Sequence, residues 1–155
     1  MRATDVMLTS FATVKAGAAL IDAVRLLLET NQRGLPVVDD DGDIVGIISE
    51  GDLLHRDELG VKPFAGNWLE QLLGIEEEGP GRERMRSLRV GVIMTSEPIC
   101  VDEDATVDDV IIAMDERKVA QVPVVSAGKV IGIISRFQLI SALERSLSRI
   151  EKVAE

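Results

Sequence analysis

Apolar positions recur at helical spacing in two places along the chain: Leu20, Ala23, Val24 and Leu27, and again Val107, Val110, Ile111 and Met114. Residues at i, i+3, i+4 and i+7 share one face of an α-helix, so each set predicts an amphipathic helix. Thr106 precedes the second set as an N-cap candidate, with Asp109 three residues on, the spacing of a capping box. A short β-prone stretch stands before each helix ("FATVK", "PICVD"). After each helix come two apolar runs: "LPVV" and "DIVGIIS" joined by "DDDG", then "VPVV" and "KVIGIIS" joined by "SAG". Apolar runs separated by a glycine-containing turn predict β-hairpins. A further helix begins after each closing serine, and the C-terminal one sets Leu139, Leu143, Leu147 and Ile150 on one face.

These two series are one pattern written twice. A shift of 87 places sets Met7 on Met94, Val14 on Val101, Asp22 on Asp109 and Pro36-Val37-Val38 on Pro123-Val124-Val125. Removing one turn residue then aligns Gly46-Ile47-Ile48-Ser49 with Gly132-Ile133-Ile134-Ser135. The expected fold class is α/β (α+β), with two β-α-β-β-α repeats. Each has only about 50 residues, a size at which a lone core is marginal, so the two are expected to pack sheet to sheet. The first repeat spans residues 1–59, a linker 60–89, and the second repeat with its C-terminal helix 90–155. Within the linker, Trp68, Leu69, Leu72 and Leu73 predict a short amphipathic helix, and the charged, glycine-containing stretch 74–87 predicts a mobile loop.

Composition narrows the function classes. One cysteine, Cys100, and one histidine, His55, provide neither an internal disulfide nor a soft-ligand metal cluster. A net charge of −10 disfavours nucleic-acid binding, which needs basic faces that displace counterions. No apolar run approaches the roughly 18 residues of a membrane span, and the first ten residues lack a signal-peptide pattern, so a cytoplasmic protein without membrane insertion is expected. The acidic turn at 39–43 resembles a calcium loop until its register is set: with Gly42 sixth, Val37 is first and Ile48 twelfth, where acids are required. Phosphate-loop, nucleophile-elbow and zinc-protease motifs are missing too, and no enzyme is expected.

The duplicated phrase "LPVVDDDGDIVGIISEGDLL" and its echo "VPVVSAGKVIGIISRFQLI", each led by "DVM" or "VIMTSEPICVDEDATVDDV", resemble the cystathionine-β-synthase (CBS) domain family. The resemblance covers both repeats and implies a tandem pair, or Bateman module, packed about a pseudo-two-fold axis. It implies two clefts for an adenine nucleotide (AMP, ADP or ATP) or S-adenosylmethionine, with regulatory rather than catalytic use. Carried over to this sequence, Ser49 and Asp52 of "S-x-x-D" would hold the ribose hydroxyls. Thr13, Val14, Leu35, Pro36 and Val37 would line the base slot, with Cys100, Val122, Pro123 and Ser135 as second-copy counterparts. Gln138 replaces the acid in the second copy and offers one carbonyl acceptor instead of a carboxylate, so the main site is expected in the first repeat. Arg33 and Arg136 are the phosphate candidates, with Lys118 and Lys129 behind them. Both serine motifs also have capping-box spacing, and for Ser135 and Gln138 capping is the expected role. The implied partners are an adenosyl-type small molecule, a second copy in a homodimer, and a separate target enzyme or transporter. A ligand-free dimerisation or interaction scaffold of the same fold is the competing reading.

Overall fold

The computed structural model describes residues 1–54 and 87–154. Its elements are, in order, α1 (Ala3–Val6), β1 (Val14–Lys15), α2 (Leu20–Thr30), β2 (Gly34–Val38), β3 (Ile44–Ser49), α3 (Glu50–Leu54), α4 (Val90–Ile93), β4 (Val101–Asp102), α5 (Val107–Arg117), β5 (Gln121–Ser126), β6 (Lys129–Ser135) and α6 (Arg136–Ala154). The β-α-β-β-α order expected from the apolar spacing is present twice, as a mixed α+β architecture with two three-stranded sheets. In each sheet the first strand runs parallel to the second and the second antiparallel to the third. The linker helix, His55 and the 74–87 loop, save Ser87, lie outside the described residues.

Local chemistry accounts for the elements. Thr106 Oγ1 accepts from the Asp109 amide at 3.1 Å while Asp109 Oδ2 accepts from the Thr106 amide at 2.9 Å, the capping box its sequence predicts. These bonds favour the charged carboxylate and hold the Asp109 carboxyl below its ordinary range. The first hairpin turns on Asp39, whose Oδ1 accepts from the amides of Asp41 and Asp43, with Gly42 at φ 85°. The second turns on Ala127 and Gly128, both at positive φ (50° and 83°), between the paired Ser126 and Lys129. Positive φ at both loop residues is the geometry of a type I′ turn, which Asn-Gly fits better than Ala-Gly.

A proline in the central strand of each sheet has a specific licence. Pro36 lies opposite Ile47, and Ile47 directs both its N–H and its C=O outward to Thr95, at 3.0 and 2.9 Å. The Pro36–Ile47 pair is therefore a non-hydrogen-bonded pair of the hairpin. The missing proline donor points to the other side, where β1 begins only opposite Val37. Pro123 repeats the arrangement opposite Ile133, which bonds Leu8 in both directions.

Compact units and sequence repeats do not coincide. One unit is Ala12–Pro98; the other joins Met1–Phe11 to Ile99–Glu155. The arm carrying α4 completes the first sheet, placing Leu88, Val90 and Ile93 in one core with Val14, Leu35, Val37 and Ile48. The arm carrying α1 completes the second, where Ala3 and Val6 join Val110, Met114, Val122, Val124 and Ile134. Each arm ends as a one-residue bridge on the outer strand, Thr95 on Ile47 and Leu8 on Ile133. Glycine makes room for it. A Cβ at Gly46 would lie 2.7 Å from Met94 Sδ and 2.8 Å from the Thr95 carbonyl; one at Gly132 would lie 2.6 Å from Met7 Cγ and 2.9 Å from its Cβ.

Two outcomes follow. Gly46→Ala and Gly132→Ala each lower stability by about 1–3 kcal/mol, because backbone or side-chain stem must shift, whereas Gly17→Ala, with nothing within 4 Å, is neutral or stabilises by less than about 1 kcal/mol; denaturant melts separate them. Ala127→Asn raises stability by about 1 kcal/mol by relieving the left-handed alanine, read as a Tm rise of roughly 2–4 °C.

Candidate functional site

In the Ala12–Pro98 unit, β3 ends at Ser49 and α3 begins at once, so the first turn of α3 faces the strand end. Asp52, three residues on, reaches back: its Oδ2 accepts from the Ser49 amide at 2.9 Å and from Ser49 Oγ at 3.1 Å. The Asp52 amide donates in turn to Ser49 Oγ at 3.3 Å. This is a capping box, and a carboxylate in a first helical turn also meets the positive end of the helix dipole.

Asp52 is only 4% exposed, and a buried carboxylate needs partners for both oxygens. The second partner is Thr95, whose Oγ1 donates to Asp52 Oδ1 at 2.7 Å. Thr95 escapes the sequence reading because it lies in the arm, 43 residues away. One signal for it does exist in the repeat. Under the same alignment Thr95 corresponds to Leu8, and Asp52 to Gln138. Where the arm supplies a hydroxyl the helix carries a carboxylate; where it supplies a leucine the helix carries a neutral amide. In that second unit Gln138 Oε1 accepts from the Ser135 amide at 2.7 Å and from Ser135 Oγ at 2.5 Å, the expected capping.

A second residue missed at the sequence level is Gln32. It is buried, accepts from the Ala12 amide at 2.7 Å, and donates to the carbonyls of Ala12 and Gly34 at 3.1 and 3.0 Å. It thereby fixes the backbone just before Thr13 beside the start of β2. Its counterpart under the shift is Val119, so the repeat carries no signal for it.

The remaining sequence candidates fall into three environments. Thr13 is exposed ahead of β1, while Val14, Leu35 and Val37 belong to the buried core and Pro36 is fully buried. Val122 and Pro123 are equally buried in β5. Cys100 is half-buried ahead of β4, and that burial pushes its thiol up. Arg33 is exposed and pairs with Glu50 at 3.2 Å; Arg136 is exposed at the first position of α6, and Lys118 and Lys129 are exposed as well. The C-terminal helix departs from its expected face: Ala142 is buried with Leu139 packed beside it, while Leu143, Leu147 and Ile150 stand exposed. A groove of about 460 Å³ runs beside α2 and α3, lined by Val24, Leu27, Leu28 and Leu53 together with Arg33 and Glu50. Neither Ser49 nor Asp52 lines it. The carboxylate oxygens of Asp39, Asp41 and Asp43 lie within 4.8 Å of one another, but Asp39 Oδ1 is already engaged by turn amides.

The Thr95–Asp52 pair yields a double-mutant cycle. Thr95→Leu costs about 1.5–3 kcal/mol by leaving a buried carboxylate oxygen without its donor. Thr95→Leu combined with Asp52→Gln, which writes the second unit's pair into the first, recovers much of that loss. Chemical denaturation of the four proteins measures a coupling of about 0.5–3 kcal/mol.

Comparison with known proteins matches this geometry to a family. The chain is 33% identical over 135 residues to the uncharacterized protein MJ1426 of Methanocaldococcus jannaschii, covering 80% of each. It is 31% identical over 137 residues to the chloroplastic CBS domain-containing protein CBSX2 of Arabidopsis thaliana, spanning 83% of this chain but only 57% of the plant protein. The crystal structure of CBSX2 in complex with AMP superimposes with a TM-score of 0.69 at 30% identity, over 93% of this chain and 96% of that one. No helix among the described residues is long and apolar enough to cross a membrane. The CBS domain pattern matches residues 3–58 and 90–145, one match for each sheet and more than half of the sequence, and the chain therefore belongs to the CBS domain family as a tandem pair.

Proposed function

We propose that this protein is a regulatory sensor that binds an adenine nucleotide or an adenosyl ligand such as S-adenosylmethionine and conveys its level to a separate target enzyme or transporter, working as a homodimer. The observation that carries the proposal is the buried Asp52 carboxylate, held between the hydroxyls of Ser49 and Thr95, in a chain 30% identical to a protein crystallised with AMP. A carboxylate accepts strongly from vicinal hydroxyls, and a ribose hydroxyl can replace the Thr95 hydroxyl on Asp52 Oδ1 one for one. No buried charge is left unpaired at any stage of that exchange. The base would lie along Thr13 and the β2 backbone from Leu35 to Val37, which Gln32 and the short β1 support. Arg33 and Arg136 remain the candidates for phosphate, Arg33 by releasing Glu50. Gln138, in the unit where Leu8 stands in the place of Thr95, has no carboxylate to offer, so the Asp52 site is taken as the stronger one.

Sensing requires that the ligand favour one conformation over another, because a ligand with equal affinity for both shifts nothing. The second reading, a scaffold without ligand, draws support from the exposed apolar face of α6.

Calorimetry with AMP separates the two. The sensor reading expects saturable binding, a loss of at least about tenfold in Asp52→Ala and in the fold-preserving Asp52→Asn, and little change in Gln138→Ala; a good bidentate hydroxyl site also rejects 2′,3′-dideoxy analogues. At 100 times Kd, AMP adds about 2.7 kcal/mol of stability, seen as a Tm rise of roughly 5–10 °C. Equal losses at Asp52 and Gln138 would overturn the site assignment. No thermal response to AMP, ADP, ATP, NAD or S-adenosylmethionine would select the scaffold.

A further inference from the structure

The two oxygens of the Asp52 carboxylate are held in different ways. Oδ2 accepts from the Ser49 amide and hydroxyl at 2.9 and 3.1 Å, inside the turn that starts α3. Oδ1 accepts from Thr95 Oγ1 at 2.7 Å, a side chain brought from 43 residues away. The exposures of the two residues are opposite: Asp52 is buried, whereas Thr95 is exposed. The Thr95 backbone is pinned independently of its side chain. Its N–H donates to the Ile47 carbonyl at 2.9 Å, and its C=O accepts from the Ile47 N–H at 3.0 Å. The hydroxyl can therefore leave Asp52 by turning about χ1 into another staggered well, with the backbone bridge intact and water as its new partner.

We propose that Thr95 is a built-in competitor for the nucleotide: in the ligand-free protein its hydroxyl holds the position on Asp52 Oδ1 that a ribose hydroxyl takes on binding, and this contact sets the concentration at which the sensor responds. The proposal rests on the sensor reading for its ligand and adds the regulation of that site. A buried carboxylate left bare to await a ligand would destabilise the empty protein. The Thr95 hydroxyl removes that penalty, and the ligand must then displace it. Apparent affinity falls in proportion to the fraction of molecules in which Oδ1 is open. The second unit carries neither half of this arrangement. Under the internal alignment Thr95 corresponds to Leu8 and Asp52 to Gln138, whose Oε1 is engaged by the Ser135 amide and hydroxyl.

A competing contact and a merely stabilising one differ in sign. If the hydroxyl served stability alone, its removal would lower stability and leave nucleotide affinity unchanged or weaker. For a competitor, removal lowers stability and raises affinity, because the ligand-free state loses a bond that the bound state has already given up.

Calorimetry with AMP on the full chain, paired with denaturant melts, reads both quantities. Thr95→Val, which keeps the shape and drops the hydroxyl, should unfold at lower denaturant yet bind AMP about tenfold more tightly or better, the equivalent of one hydrogen bond to a charged group. Thr95→Ser, which keeps the hydroxyl, should match the parent protein in both. The gain in Thr95→Val should be confined to ligands with hydroxyls to offer, so 2′,3′-dideoxy-AMP should gain nothing. In the parent protein, which needs no variant to fold, vicinal couplings to the Thr95 methyl carbon should place χ1 in a different staggered well once AMP saturates. AMP that binds the parent but binds Thr95→Val no more tightly, a gain shared by the dideoxy analogue, or a Thr95 rotamer unchanged by AMP would each overturn the proposal and leave the sensor reading standing. Failure of both proteins to bind AMP, ADP, ATP, NAD or S-adenosylmethionine would overturn the sensor reading and the competitor with it.

Discussion

Each sheet is closed on its outer edge by an arm that the sequence repeat assigns to the other copy, and the arm can lie there only because the outer strand lacks a side chain at one point. Met94 and Thr95 cross Gly46; Met7 and Leu8 cross Gly132. The crossing covers an edge that would otherwise present unpaired backbone groups. It also turns both backbone groups of Ile47 and Ile133 outward, and so allows a proline in each central strand. Core, edge and strand composition thus follow from a single steric allowance.

The same arm decides the chemistry at the helix starts. Thr95 arrives within hydrogen-bond reach of Asp52 because the bridge to Ile47 fixes its backbone. In the ligand-free protein that hydroxyl and Ser49 satisfy the buried carboxylate. In the other unit the arm delivers Leu8, and Gln138 caps α6 without a charge. The difference between "GIISEGDLL" and "GIISRFQLI" thereby acquires a local cause that holds whether or not a ligand is bound. Functional asymmetry between the two units would rest on the same substitution.

Much of this was legible in the sequence, for identifiable reasons. The helices over Leu20–Thr30 and Val107–Arg117 and both hairpins announce themselves through period, turn glycines and the Thr106–Asp109 cap, all local signals. The four-residue helices α1 and α4 do not, since one turn carries no periodicity. The repeat alignment equates Met7 with Met94 but is silent on which copy each packs against, so the exchange of arms was invisible, and with it Thr95. Gln32 has no counterpart to betray it. On α6, spacing selected Leu139, Leu143, Leu147 and Ile150 as one face; the packed face centres instead on Ala142, whose small side chain permits close approach while the larger residues point elsewhere.

The arms also impose an order on folding. Only the Ala12–Pro98 unit is continuous in the chain, and it has all its parts once residue 98 has left the ribosome. Residues 1–11 precede the rest of their unit and have no sheet to join until Ile133, in that sheet's last strand, has emerged. The nascent chain therefore carries residues 1–11 unpaired until that point, because domains tend to fold as they are completed. Within that unit the segment synthesised first becomes the final piece to settle.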